Sequence, residues 1–269
     1  MRKSPGVARY IHGETDAKET ERLEKQARFL TRWILDGVEA GPGALVLDLA
    51  CGTGAMMRRL AARLPDALLF GADLSRAQLR EAKKRSPELS LVQSNAAALP
   101  FRPGAFDVVH WSWLLEHVPR ERAVDILREV RRVLREGGVA WMTEVDNDSL
   151  AFWPRIPLAE ECFRSLWKAQ EEGGGGDPIV GRKLYGMCRS AGFTEVQVLP
   201  TTFHLHQGSA PGYFHGMLRE FAEILDSARE ALPARLRGRT DEAIAQVLGL
   251  EGDPGASFTY TCFRARASR

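Results

Sequence analysis

The sequence predicts an α/β protein built on one doubly wound, mostly parallel, seven-stranded sheet with helical cap elements over one edge. Three observations predict it. Five short runs, 45–49, 68–72, 89–94, 106–111 and 139–145, are almost continuously apolar, as parallel strands buried on both faces should be. The segments between them carry apolar residues at helical spacing, so strands and helices alternate. The first run ends in Ala50-Cys51-Gly52-Thr53-Gly54, whose two glycines allow a tight turn and close approach to a ligand.

Composition narrows the class. A chain of 269 residues, 44% hydrophobic, can bury one substantial core. A net charge of +2 is too mild to argue for a nucleic-acid partner, and the pairs Arg58-Arg59 and Arg131-Arg132 fall on polar helix faces. The four cysteines are scattered without a C-x-x-C pair, so a metal site has no support and buried free thiols in a reducing cytosol are expected. No apolar run approaches a membrane span, and the N-terminus leads into polar residues where a signal peptide would have its apolar region. These features point to a cytoplasmic protein; oligomeric state stays open.

Taken in order, Leu23, Ala27, Leu30 and Ile34 predict a leading helix ended by Gly41-Pro42-Gly43. After the first strand, Met56, Met57, Leu60 and Leu64 predict the next helix. The second strand ends at Asp73, nineteen residues beyond Gly54, where a carboxylate can accept hydrogen bonds from a ribose. Ser75 is placed to cap the following helix. Asn95-Ala96-Ala97 follows the third strand, and Trp111-Ser112-Trp113 closes the fourth at the edge where open α/β sheets bind ligands. The helix from Ala123 to Leu134 should end at Gly137-Gly138, with the fifth strand next. Past Asp146 the alternation breaks. Gly173 to Gly176 reads as a mobile loop, since no strand precedes it as a phosphate cradle requires. A helix over 177–192 and a sixth strand at 193–199 follow. The seventh strand, 257–265, arrives only after a helical insertion marked by Met217, Leu218, Phe221, Ile224 and Leu225.

Two departures from a dinucleotide fingerprint carry the chemistry. The third glycine position is Met57, and Asp48, four residues before Gly52, would repel a pyrophosphate but suit a cation. The stretch from Val46 to Gly54 resembles motif I of the class I S-adenosylmethionine-dependent methyltransferases, a Rossmann-like family. The resemblance implies S-adenosylmethionine as cofactor, held by Asp48, Ala50, Cys51, Gly52, Gly54, Asp73, Leu74, Asn95, Ala96, Trp111 and Ser112. Asn95 stands where the family usually has an aspartate facing adenine; its carbonyl can still accept. Tyr10-Ile11-His12-Gly13, Glu21-Arg22-Leu23 and Gln26-Ala27 resemble an N-terminal lid signature, which adds Tyr10 and Gln26 to the cofactor set.

The expected organisation is a single domain: helical lid 1–40, cofactor core 43–146, cap segment 147–190, helical insertion 203–255 and last strand 256–266. The implied activity is in-line methyl transfer to a small molecule. The alternatives are methylation of RNA or protein, a nicotinamide-dependent dehydrogenase, which Met57 and Asp48 oppose, and a non-catalytic cofactor-binding module. No catalytic residue follows from the residues. His12, His204, His206 and His215 in the cap are the candidate bases, and His117 reads as a packed or hydrogen-bonded residue.

Overall fold

The computed structural model describes residues 17–209 and 212–269. The expected lid residues Tyr10 to Gly13, His12 among them, therefore lie outside the described residues, as does the Arg22 side chain. Strands β1 (Leu45–Leu49), β2 (Leu68–Asp73), β3 (Ser90–Gln93), β4 (Phe106–Ser112) and β5 (Leu134–Trp153) are parallel. Strand β7 (Ser257–Ser268) enters antiparallel between β5 and the edge strand β6 (Thr194–His206), giving the order β3-β2-β1-β4-β5-β7-β6. Helices α2 (Ala55–Arg63), α3 (Arg76–Arg85), α4 (Arg120–Val133) and α6 (Leu184–Ser190) link the strands. A second group, α1 (Ala17–Ile34), α5 (Pro157–Glu172), α7 (Tyr213–Ser227), α8 (Ala234–Arg237) and α9 (Thr240–Gly249), includes the long connections before β1, after β5 and between β6 and β7.

The apolar strand runs do what their composition requires. Successive side chains alternate across the sheet, so Val46 and Val108 join one core while Leu47, Leu49 and Val109 join the other. The strand order reverses between β1 and β4, and the crevice outside their carboxyl ends is where such folds bind ligands. Above that crevice Phe152, Phe163, Phe221 and Phe258 pack together, with the Phe221 and Phe258 rings edge to face at 5.3 Å. Helix α1 closes onto α7, Phe29 meeting Tyr213 at 4.7 Å. No helix among the described residues is long and apolar enough to cross a membrane.

Several boundaries differ from expectation, each for a packing reason. Helix α4 stops at Val133 because Leu134 turns extended and buries itself in the sheet core. Gly137-Gly138 is therefore part of β5, in a bulge where the register against β4 slips from Phe106↔Leu134 to Val108↔Val139. Beyond Asp146, β5 continues to Trp153 because the long β7 offers it partners from Thr259 to Ser257. Likewise β6 passes through Pro200, which a strand tolerates at a sheet edge. Of the run Gly173 to Gly176 at the end of α5, Gly173 and Gly174 are exposed, as a loop requires, while Gly176 is buried against the turn after β4. A Cβ built on Gly176 would lie 1.8 Å from the Glu116 carbonyl oxygen.

That carbonyl belongs to a 3₁₀ turn, Leu115–His117, which follows β4 and is held from two sides. From the α5 end, the Gln170 side-chain amide and the Asp177 N–H donate to the Glu116 oxygen at 2.7 and 3.0 Å. From beneath, the Glu144 carboxylate on β5 accepts from the Trp111 indole at 2.8 Å and from the backbone N–H groups of Leu114, Leu115 and Glu116 at 3.1, 2.8 and 3.4 Å. Glu144 is fully buried. Burial pushes its carboxyl up to about 7, while the Leu115 N–H and the Trp111 indole pull the other way.

Two predictions follow from this turn. Between the ordinary 4.5 and about 7 the folded protein keeps a proton that the unfolded chain has lost. The contribution of Glu144 to stability is therefore full below that window and falls as pH rises through it, by about 3 kcal/mol. Glu144→Gln keeps an oxygen for Trp111, Leu114 and Leu115, so its urea-unfolding free energy should lack that decline; an unchanged pH slope would show that Glu144 does not titrate there. Gly176→Ala drives a methyl group into the Glu116 carbonyl and should lower unfolding free energy by about 2 kcal/mol in the same measurement.

Candidate active site

A cavity of about 1000 Å³ runs from the β1–α2 turn to the cap helices. That is the upper end of the range for small-molecule sites.

The sheet half is built from strand ends. Ala50, Gly52 and Gly54 have φ of 57°, 55° and 73°, so the turn is left-handed three times, once without a glycine. The Ala50 conformation costs about 1 kcal/mol and is held because Cys51 N–H donates to the Ala72 carbonyl at 3.1 Å and Gly52 N–H to Asp73 Oδ2 at 2.9 Å. Asp73 Oδ1 accepts from Ser75 N–H at 2.7 Å, which fixes the carboxylate at the tip of β2 with lone pairs still facing the cavity it lines. Burial raises the Asp73 carboxyl, the Ser75 and Gly52 N–H groups lower it, and the neighbouring Asp48 raises it. Burial first, then Asp48 and Asp73, holds the Cys51 thiol well above its usual value, so it is an inert wall.

Of the residues expected around the cofactor, Gln26, Ala50, Cys51, Gly52, Asp73, Leu74, Asn95, Ala96 and Ser112 line this cavity. Three do not. Gly54 shapes the turn without facing the cavity, since a Cβ there would meet Leu89 at 2.9 Å. Trp111 is fully buried, its indole spent on Glu144; the strand alternation turns it into the core and leaves Ser112 at the ligand edge. Asp48 lies one layer below the turn, where Oδ1 meets His110 Nδ1 on the adjacent strand at 2.8 Å. Its Oδ2 is buried without a hydrogen-bond partner among the described residues, as is His110 Nε2. An uncompensated carboxylate oxygen beneath a cavity favours a cation above it, which fits the ammonium and sulfonium of S-adenosylmethionine. Asn95 Oδ1, expected to accept from adenine, already accepts from Ala97 N–H at 2.9 Å, so its amide nitrogen, a donor, is the freer end for a purine. Gln26 donates to Glu220 at 2.6 Å and ties α1 to α7 across the cavity.

The cap half is walled by Phe163 and Trp167 from α5, Met217 and Phe221 from α7, and Phe258 and Tyr260 from β7. Of the cap histidines, His204 bonds Thr259, His206 bonds its own Gly208 N–H, and His215 lies 4.0 Å from Glu251; none lines the cavity. His117 does, with Nε2 3.6 Å from Glu116 Oε1. The sequence signal missed was a single acid, Glu144, inside the apolar run of β5: a buried carboxylate needs donors, and here they are the turn that carries His117.

Residues 46–138 match the family described as methyltransferase domain. An uncharacterized methyltransferase of Synechocystis sp. is 33% identical over 65% of this chain and 76% of its own length. The demethylmenaquinone methyltransferase of Beutenbergia cavernae is 41% identical over 41% of this chain and 45% of its own. The chain spans about half the length of several such relatives. In structure, the YcgJ protein of Bacillus subtilis superposes with a TM-score of 0.56 at 16% identity, over 92% of this chain and 98% of that one. Motif I at the end of β1, the acid at the tip of β2 and the sequence match together make this chain a member of the class I S-adenosylmethionine-dependent methyltransferases.

Proposed function

We propose that the protein methylates a small-molecule acceptor seated in the cap half of the cavity, with S-adenosylmethionine in the sheet half. One observation carries this reading: a single cavity joins the β1–α2 turn to an aromatic chamber under α5 and α7. When bound, the cofactor supplies a methyl group already activated on a sulfonium. Asp73 would hold the ribose hydroxyls, Asn95 and Ala96 the adenine, and the Asp48 layer the positive end. The aromatic chamber would exclude water and align the acceptor, which is most of what such a displacement asks of a protein. His117, on the turn held by Glu144, Gln170 and Asp177, would take the proton of an acceptor that must lose one.

Two alternatives fit less well. In a dinucleotide enzyme the turn amides face a pyrophosphate, but here Gly52 N–H is taken by Asp73 and Cys51 N–H by Ala72. An RNA or protein acceptor is favoured by no basic patch, since the described residues lining the cavity carry more acids than arginines. The name of the B. cavernae relative, a demethylmenaquinone methyltransferase, also supports a small-molecule acceptor. Four free, buried cysteines support a cytoplasmic setting.

Asp73→Ala removes charge-assisted hydrogen bonds worth about 1.5 to 3 kcal/mol each, so calorimetry should show S-adenosylmethionine affinity reduced at least about tenfold. Unchanged affinity in a folded variant would put the ribose elsewhere. For His117→Ala, S-adenosylhomocysteine release with a proton-bearing acceptor should slow about 10²-fold or more while cofactor affinity holds. Parallel losses of rate and cofactor affinity would make His117 a cofactor contact instead of a base.

A further inference from the structure

The chemistry of the chamber narrows the acceptor. Its walls are rings in two orientations: Phe163 and Trp167 stack at 5.8 Å with planes 19° apart, and Phe221 stands edge-on to Phe258. These rings pack on one another and line one cavity, an aromatic lining that favours a flat ring as guest. The charged side chains that face it are unfavourable for anions. Glu116 and Glu220 are acidic, and among the described lining residues the arginine is Arg122, an exposed residue of the first turn of α4 beside Asp125. Against these acids the cavity offers a carboxylate or phosphate one guanidinium, exposed and shared with Asp125.

One polar pair interrupts the rings. The Tyr260 hydroxyl on β7 donates to Asn147 Oδ1 on β5 at 2.7 Å, and both residues line the cavity. The bond leaves the Asn147 amide nitrogen to donate and the Tyr260 oxygen to accept, a complement for a hydroxyl or carbonyl oxygen. Burial holds the Tyr260 phenol well above its usual value, so it stays a neutral donor.

We propose that the acceptor is a neutral, flat, aromatic molecule whose rings fill the chamber and whose oxygen function is recognised by Asn147 and Tyr260. The inference rests on the methyl-transfer reading above and specifies its substrate class.

The test uses the full chain loaded with S-adenosylhomocysteine, whose own binding is measured first. Calorimetric titration then compares 2-naphthol, naphthalene and benzene-1,3,5-tricarboxylate. The expected order is 2-naphthol about tenfold tighter than naphthalene, as one hydrogen bond in a buried site provides, with no heat from the tricarboxylate. Tyr260→Phe and Asn147→Ala should each reduce the 2-naphthol preference while leaving naphthalene affinity in place, a difference that a loss of packing would not produce. Equal affinity for the two naphthalenes, a preference that survives both variants, or tighter binding of the tricarboxylate would overturn the proposal. Failure of S-adenosylhomocysteine itself to bind would instead remove the methyl-transfer reading, so the two failures are distinguishable.

Discussion

Four N–H donors converge on the Glu144 carboxylate, and the working edge of the sheet depends on that convergence. The chain leaving β4 must turn sharply to expose a segment between the cofactor turn and the cap, and Trp113 there takes a φ of 55°. A turn of this kind leaves N–H groups buried with no strand to receive them. One carboxylate receives them together, which explains why a group that costs so much to bury sits inside the apolar run 139–145 of β5. The Glu116 carbonyl, gripped from the α5 side, completes the clamp. His117 is thereby positioned by hydrogen bonds to backbone, which vary less with side-chain motion than a packed rotamer does.

The cofactor turn follows the same logic with a different acid. Asp73 spends acceptor capacity on Gly52 and Ser75 before any ligand arrives, so the geometry of the turn and the position of the carboxylate are set together. Ala50 in a left-handed conformation is a local cost that such a network can hold in place. Asp48 then sits behind this layer, paired to His110, and acts through its field more than through contact.

Much of this was legible in the sequence, because burial on both faces of a parallel strand leaves a near-continuous apolar run and the glycine turn leaves its own mark. The sheet, the turn and the acid ending β2 were all readable on those grounds. What was not readable depends on pairing between distant segments. The length of β5 is set by β7, more than a hundred residues away in the chain, and its glycines take their meaning from a bulge against β4. Trp111 was misplaced by a single position, since strand alternation assigns one residue to the core and its neighbour to the cavity. The cap histidines looked alike in sequence, and only tertiary packing separates those on an exposed strand from His117.

The insertion between β6 and β7 leaves the sheet at His206 and returns at Ser257, and those two residues are register partners. Its ends are thus pinned roughly 5 Å apart, one interstrand spacing. A segment anchored on neighbouring strand ends behaves as a cassette. Its length and content can change at a loop-closure cost of only about 0.6 kcal/mol per doubling, while Asp73 and the cofactor turn, on the far side of β4, keep their geometry. On the proposed reading, the α7 wall of the acceptor chamber belongs to this cassette and the cofactor turn does not, so that wall could be rebuilt without disturbing the site of methyl donation.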